Sequence, residues 1–242
     1  MKNLIKAEWY KLKKMTAYKV LLVSYLFLEA AIQMNNISNS VVYPQYNPTY
    51  TGVEWLSDLH QTSFLYSIVI FIFTSFYVNG DFVKHTFYTS LLCGISRKSA
   101  FLAKLISVIA GSLPLMFVPF LTGTLFWSIH AGFGMEFGAE AVCLMAKAFA
   151  RQFLASLMLV SNAVFFAVLA KSRIRAFGWS FGTLYVLGVL RQNIGFMIHV
   201  PALREGLLLL LSLFYLNLGT FLTAIVLMLL AAGYMFERCD LT

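Results

Sequence analysis

The residues of this chain best placed to do chemistry are charges standing where charge is costly. Glu29 interrupts an apolar run that opens near Tyr18, and Arg151 and Arg191 border two other apolar runs. A carboxylate inside a bilayer must be protonated, paired or turned toward a polar cavity. Glu29 lies about 15 Å beyond Lys19 at 1.5 Å per helical residue, a depth comparable to that expected of Arg151 and Arg191. Two roles fit this trio: an ion pair that locks helices together, or a polar contact for a substrate. A second group gathers between residues 79 and 98, where Asp81, Lys84, Arg97 and Lys98 are interleaved with Phe82, Phe87 and Tyr88. Charges with aromatic anchors suit docking of a soluble partner, and they equally suit a basic connector.

Catalytic patterns fare worse. Gly178-Trp179-Ser180-Phe181-Gly182 matches the GxSxG of serine hydrolases. That motif works on a strained strand-to-helix turn with His and acid partners, whereas here it lies inside an apolar helical run. His60, His130 and His199 are too far apart in sequence to form a ligand pair at i, i+4. The chain has no GxxxxGK[ST], no HExxH and no paired carboxylates suited to hydrolysis. Cys93, Cys143 and Cys239 are odd in number and widely spaced, which suits neither a disulfide framework nor a zinc site.

The elements that must position these residues belong in lipid. Of 242 residues 60% are hydrophobic and only 12% charged, about half the roughly 25% of a soluble domain. That excludes an ordinary water-soluble fold and disorder, and nucleic-acid binding with them, because the required charge is missing. A span needs about 20 mostly apolar residues. Runs free of Asp, Glu, Lys and Arg cover 61–80, 105–129, 152–170 and 206–236, with less clean runs at 18–34 and 176–190. The expected fold is all-α and integral to the membrane, with six spans near 17–34, 61–80, 103–129, 148–170, 176–190 and 206–236. With both ends on the cytoplasmic side, 14 of the 18 Lys and Arg residues fall inside and four outside. This is the asymmetry that sets orientation, and it predicts a multi-pass plasma-membrane protein. A cleaved signal peptide fits the start poorly, since Glu29-Ala30-Ala31 lacks small residues two apart.

Several local features refine that frame. Ile5, Trp9 and Leu12 recur at i, i+4, i+7 within residues 2–15, with lysines opposite, the pattern of a helix lying on the membrane surface. Residues 35–61, with Pro44 and Pro48, read as a long outer loop. Pro114 and Pro119 should kink or open the third span. Gly178 and Gly182 form a GxxxG that would let helices approach closely. Residues 191–205 are too apolar for a surface loop and too broken to cross again, so a re-entrant outer hairpin fits them best.

Read as a whole, the segment from Asp81 through Thr86 to Gly94-Ile95-Ser96-Arg97 and Lys104 resembles the permease subunits of type-2 ABC transporters, whose inner loop carries an acidic residue, Gly-Thr and a Gly/Pro-x-Ser-Arg before a Lys. His85 stands where that family usually has glycine. The opening Glu8-Trp9-Tyr10-Lys11 and the closing Phe236 to Leu241 are similar to the family's ends. The likeness is nearest to small Gram-positive permeases that export bacteriocins or amphipathic peptides and confer immunity. It implies that residues 81–98 form a coupling helix, with Asp81, Phe82, Lys84, Thr86, Phe87, Arg97 and Lys98 meeting a separate ABC ATPase. It also implies a second permease copy or sibling, ATP and Mg on the partner, no cofactor on this chain, and an amphipathic peptide as substrate. The competing classes are a stand-alone immunity or scaffold protein, an ion-coupled carrier relying on Glu29, and a membrane enzyme.

Overall fold

A computed structural model of the chain describes residues 2–43, 45, 49–58, 64–83, 92, 94–136, 138–197 and 218–238. Among them every regular element is a helix: α1 Lys2–Lys14, α2 Thr16–Val42, α3 Gly52–Asp58, α4 Phe64–Val83, α5 Arg97–Ala131, α6 Ala139–Ala170, α7 Arg173–Met197 and α8 Leu218–Arg238. Three of these, α2, α5 and α6, are long and apolar enough to cross a membrane, and shorter apolar stretches cover Leu65–Asp81 and Ile225–Phe236. The chain divides into two units, one of Lys2–Phe73 with Ile106–Leu157, the other chiefly of Thr74–Leu105 with Met158–Thr242.

In the first unit, α1 buries Leu12 and leaves Trp9 and Tyr10 exposed, with Ile5 half-buried. Lys13 and Lys14 hold their ammonium groups 5.5 Å and 4.8 Å from the Trp9 and Tyr10 ring centres. Both ammonium groups lie over aromatic faces, where the π cloud attracts a cation. Met15 breaks the helical backbone, and α2 follows at once.

Helix α2 continues to Val42, where the expected loop had been placed from residue 35. The sequence Asn35-Asn36-Ile37-Ser38-Asn39-Ser40 is a weak helix former because its side chains compete for backbone partners. Here Ser38 and Ser40 instead donate to the carbonyls of Met34 and Ile37, at 3.0 Å and 2.8 Å, which is compatible with continued helix. Its 27 residues reach about 40 Å, beyond the roughly 30 Å hydrocarbon layer.

A second part of that loop is also helical. Thr51 caps α3 by accepting from the Glu54 N–H (3.3 Å), and Glu54 reaches back to the Thr51 N–H (2.8 Å), a reciprocal capping box. The next two orphan donors, the N–H groups of Gly52 and Val53, find the carbonyls of Gly132 and Phe133 at 3.1 Å and 3.0 Å. A seven-residue helix too short to stand alone is thus held by the turn after α5. The Thr51 N–H and the Thr51 hydroxyl, the latter at 3.0 Å, both donate to the Glu54 carboxylate and keep it below its ordinary range. A depressed acid stabilises the fold above its unfolded pKa and loses that contribution as pH falls through the folded value. The expected result is that α3 loosens below about pH 4, with greater amide exchange across residues 52–58, and that Glu54→Gln flattens this pH dependence.

Aromatic side chains close the same region. Trp55 stacks on Trp127 with centroids 6.3 Å apart, and Tyr50 meets both rings edge-on. The Trp55 indole can lie against α5 because Gly123 is beneath it, and a Cβ there would collide with the ring. Gly123→Ala is expected to cost about 1–3 kcal/mol by overpacking, seen as a lower melting temperature and a shifted tryptophan emission. An unchanged emission would mean the indole does not rest on this glycine. Pro114 and Pro119 sit within α5, which remains helical from end to end.

In the second unit, Phe101 of α5 packs on Phe236 of α8 with centroids 5.3 Å apart. Phe177, Phe181 and Tyr185 stack in sequence along α7. A Cβ at Gly178 or Gly182 would meet nothing within 4 Å among the described residues, so none of the described helices packs closely on their GxxxG. Ser180 is buried and donates to the Ala176 carbonyl at 2.8 Å, an intrahelical bond. Helix α7 runs on to Met197, so the first part of the expected hairpin at 191–205 is helical. A glycine such as Gly195 costs a helix only about 1 kcal/mol relative to alanine. Residues 198–205 lie outside the described residues.

Candidate functional site

The foot of the inner loop is built where two uncharged runs end. Asp81 closes the run 61–80 on α4 and Lys104 precedes the run 105–129 on α5, so each charge falls at the same edge of its apolar stretch. The structure pairs them: Lys104 Nζ donates to Asp81 Oδ2, and both side chains are buried. The ammonium also lies 4.0 Å from the centre of the Tyr77 ring, one turn before Asp81, where the π face attracts a cation. A buried pair survives only when its remaining bonds and geometry offset the loss of hydration. This one ties the helix that enters the loop to the helix that leaves it.

Neighbouring groups extend the same base. Arg173, opening α7, places its guanidinium 5.4 Å from the Phe76 ring centre and beside Gly80. Asn79 is fully buried, and neither atom of its amide has a hydrogen-bond partner among the described residues.

The far end of the loop explains its Gly-Ile-Ser-Arg. Gly94 has φ of +81°, a left-handed conformation that only glycine adopts freely. Ser96 then caps α5: its hydroxyl accepts from the Ser99 N–H (3.3 Å) and donates to the Ser99 hydroxyl (2.8 Å), the ordinary function of serine at this position. Arg97 and Lys98 follow in the first turn of α5. Cations there oppose the helix dipole by about 0.3–1 kcal/mol each, so α5 itself gives no reason for their presence. Arg97 is half-buried and Lys98 exposed. Phe82 is in α4, with its side chain undescribed, and Lys84, Thr86 and Phe87 lie outside the described residues.

Of the trio Glu29, Arg151 and Arg191, two side chains are described, and the structure does not pair them. Glu29 is buried, but its described partner is an amide one turn along α2: Gln33 Nε2 donates to Glu29 Oε1 at 3.1 Å. Gln33 Oε1 in turn accepts from Trp127 Nε1 at 3.2 Å. Indole N–H can only donate, so it fixes which way the Gln33 amide points and leaves the amide nitrogen for the carboxyl. Glu29 Oε2 has no hydrogen-bond partner among the described residues. Arg151 is exposed on α6 and lines a cavity with Lys147 and Glu140, so it is not brought to Glu29. The Arg191 side chain is not described. Gln33 was the residue missed, although its i+4 spacing from Glu29 was legible.

Among the described residues no three His, Cys, Asp or Glu side chains converge to hold a metal ion. Comparison with curated proteins and with solved structures returns no match. Comparison with protein families does, over residues 4–189, to the description "ABC-2 family transporter protein". That match covers most of the chain and includes the Asp81–Lys104 pair and the capped turn between them. The chain belongs to the ABC-2 family of transporter proteins.

Proposed function

We propose that this chain is the permease subunit of an ATP-driven exporter, crossing the membrane six times with both termini in the cytoplasm. ABC-2 membership implies a transport component that works with an ABC ATPase subunit. The observation that carries the reading furthest is the buried Asp81–Lys104 pair. A loop whose two flanking helices are bonded at their bases moves with them as one piece, which is what transmitting a stroke from a soluble engine requires. The basic Arg97 and Lys98 beyond the Ser96 cap and the aromatic Phe82 and Phe87 are the surface offered to that engine. Six spans make half of a transport path, so two permease copies, or this chain and a sibling, pair around it. ATP and Mg belong to the two ATPase subunits. The substrate class is amphipathic peptides, among them antimicrobial and toxin peptides, a choice supported by likeness to small Gram-positive export permeases.

The test is reconstitution. The chain co-expressed with a cognate ABC ATPase subunit should purify as a four-chain complex, and its ATP hydrolysis in vesicles should rise with amphipathic peptides. Arg97→Glu/Lys98→Glu should dissociate the ATPase while leaving the permease folded. Full peptide resistance in cells that lack the ATPase would sink the proposal in favour of a stand-alone immunity protein.

A further inference from the structure

We infer that the first turns of α6, with Leu56 of α3, form a binding site for one singly anionic phospholipid of the leaflet opposite Lys171. The site is a cavity of about 420 Å³. Its depth follows from the sequence of α6. Residues 152–170 carry no charge and number 19, close to the roughly 20 that cross the hydrocarbon layer. Lys171 and Arg173 mark one face of the membrane, so Arg151 stands at the opposite hydrocarbon boundary. Lys147 is one helical turn, about 5.4 Å, farther out. These two cations therefore bracket the level of the lipid phosphates, and both line the cavity.

The chemistry matches that level. Lys147 and Arg151 are four apart, on one helix face, and both are exposed. Neither makes an ion pair with a described residue. A planar guanidinium and a mobile ammonium together suit a phosphodiester, one as a fork and the other as a point charge. Leu56, Leu144 and Ala148 supply an apolar wall for the glycerol backbone and the first acyl carbons. Leu56 and Ala148 belong to a packed core with Trp55 and Phe149 behind them, so the wall is preformed. Glu140, two turns above Lys147, lines the outer part. It would repel a second phosphate and accept hydrogen bonds from headgroup hydroxyls. Two cations and one carboxylate leave a net charge of one, complementary to a lipid such as phosphatidylglycerol. The inference needs only that α6 crosses a membrane, not that the chain pumps peptides.

Cys143 lines the cavity and is exposed, which makes it a reporter. With Cys93→Ser and Cys239→Ser in place, an uncharged impermeant maleimide would be reacted with the full chain in vesicles. In an equal mixture of phosphatidylcholine and phosphatidylglycerol, labelling should be slower than in phosphatidylcholine alone by about threefold, the protection of a site two-thirds filled. Lys147→Gln/Arg151→Gln should abolish the difference and Lys147→Arg should keep it. The lipid comparison itself needs no charge variant, so misfolding of the double variant cannot mask the result. Equal labelling in both vesicles overturns the site. Protection by inorganic phosphate in phosphatidylcholine vesicles would assign it to free phosphate, and equal protection by phosphatidylethanolamine would assign it to a zwitterionic lipid. Either outcome overturns the inference.

Discussion

Asp81→Ala should destabilise this chain by about 3–5 kcal/mol, the cost of leaving one member of a buried ion pair without the other. At about 2–4 °C per kcal/mol for a chain of this size, the apparent melting temperature in detergent should fall by on the order of 10 °C. Lys104→Met should do nearly as much, because the Asp81 carboxylate would then be buried without its ammonium. The double replacement Asp81→Leu/Lys104→Met should recover most of the loss. Two apolar side chains carry no hydration to lose, and methionine keeps a favourable contact with the Tyr77 ring. This non-additivity is the discriminating result. If the two single changes simply add in the double variant, the residues do not act as a pair. The double variant also separates folding from coupling. It should fold while its ATP hydrolysis, measured in the assembled complex, no longer responds to substrate. The apolar replacement holds the helices by contact alone and lets the loop shift between them.

Gln33→Leu is expected to cost about 2–5 kcal/mol, more than Glu29→Gln. One amide serves two buried groups, so its removal strands both the Trp127 indole N–H and the Glu29 carboxyl. Each unsatisfied buried group costs about 1–3 kcal/mol, although hydrogen bonds inside membranes average nearer 0.6 kcal/mol. Glu29→Gln keeps an acceptor for the Gln33 amide and should cost less than about 1 kcal/mol. Melting temperatures of the variants give the ranking, and tryptophan emission should change with Gln33→Leu but not with Glu29→Gln. A larger loss from Glu29→Gln would show that the carboxylate charge, rather than the hydrogen-bond chain, holds this region.

Much of the loop's base could be read before any coordinates. Asp81 and Lys104 each end an uncharged run in the sequence, and the structure is what joins them. Gly94 and Ser96 carried their own conformational signals, because left-handed backbone and helix capping are local properties of those residue types. The Glu29 environment was less legible. Its donor among the described residues is neutral and four residues away, and the indole that orients that amide comes from α5. The helical extension through Ser40 and the short α3 were missed for a related reason. Both depend on hydrogen bonds that offset weak propensity, and for α3 two of those come from residues 132 and 133.

Composition and the placement of a few charges were enough, by themselves, to put this chain in a membrane, because apolar length and charge at its ends are properties of the linear chain; the motif from Asp81 to Lys104 carried the family resemblance. Tertiary structure decided which polar groups meet. It set the Trp127 indole on Gln33 and so aimed that amide at Glu29, joined Lys104 to Asp81, and seated Trp55 on Gly123. Those choices turn on ångström-scale approaches between helices, which spacing along one helix does not specify.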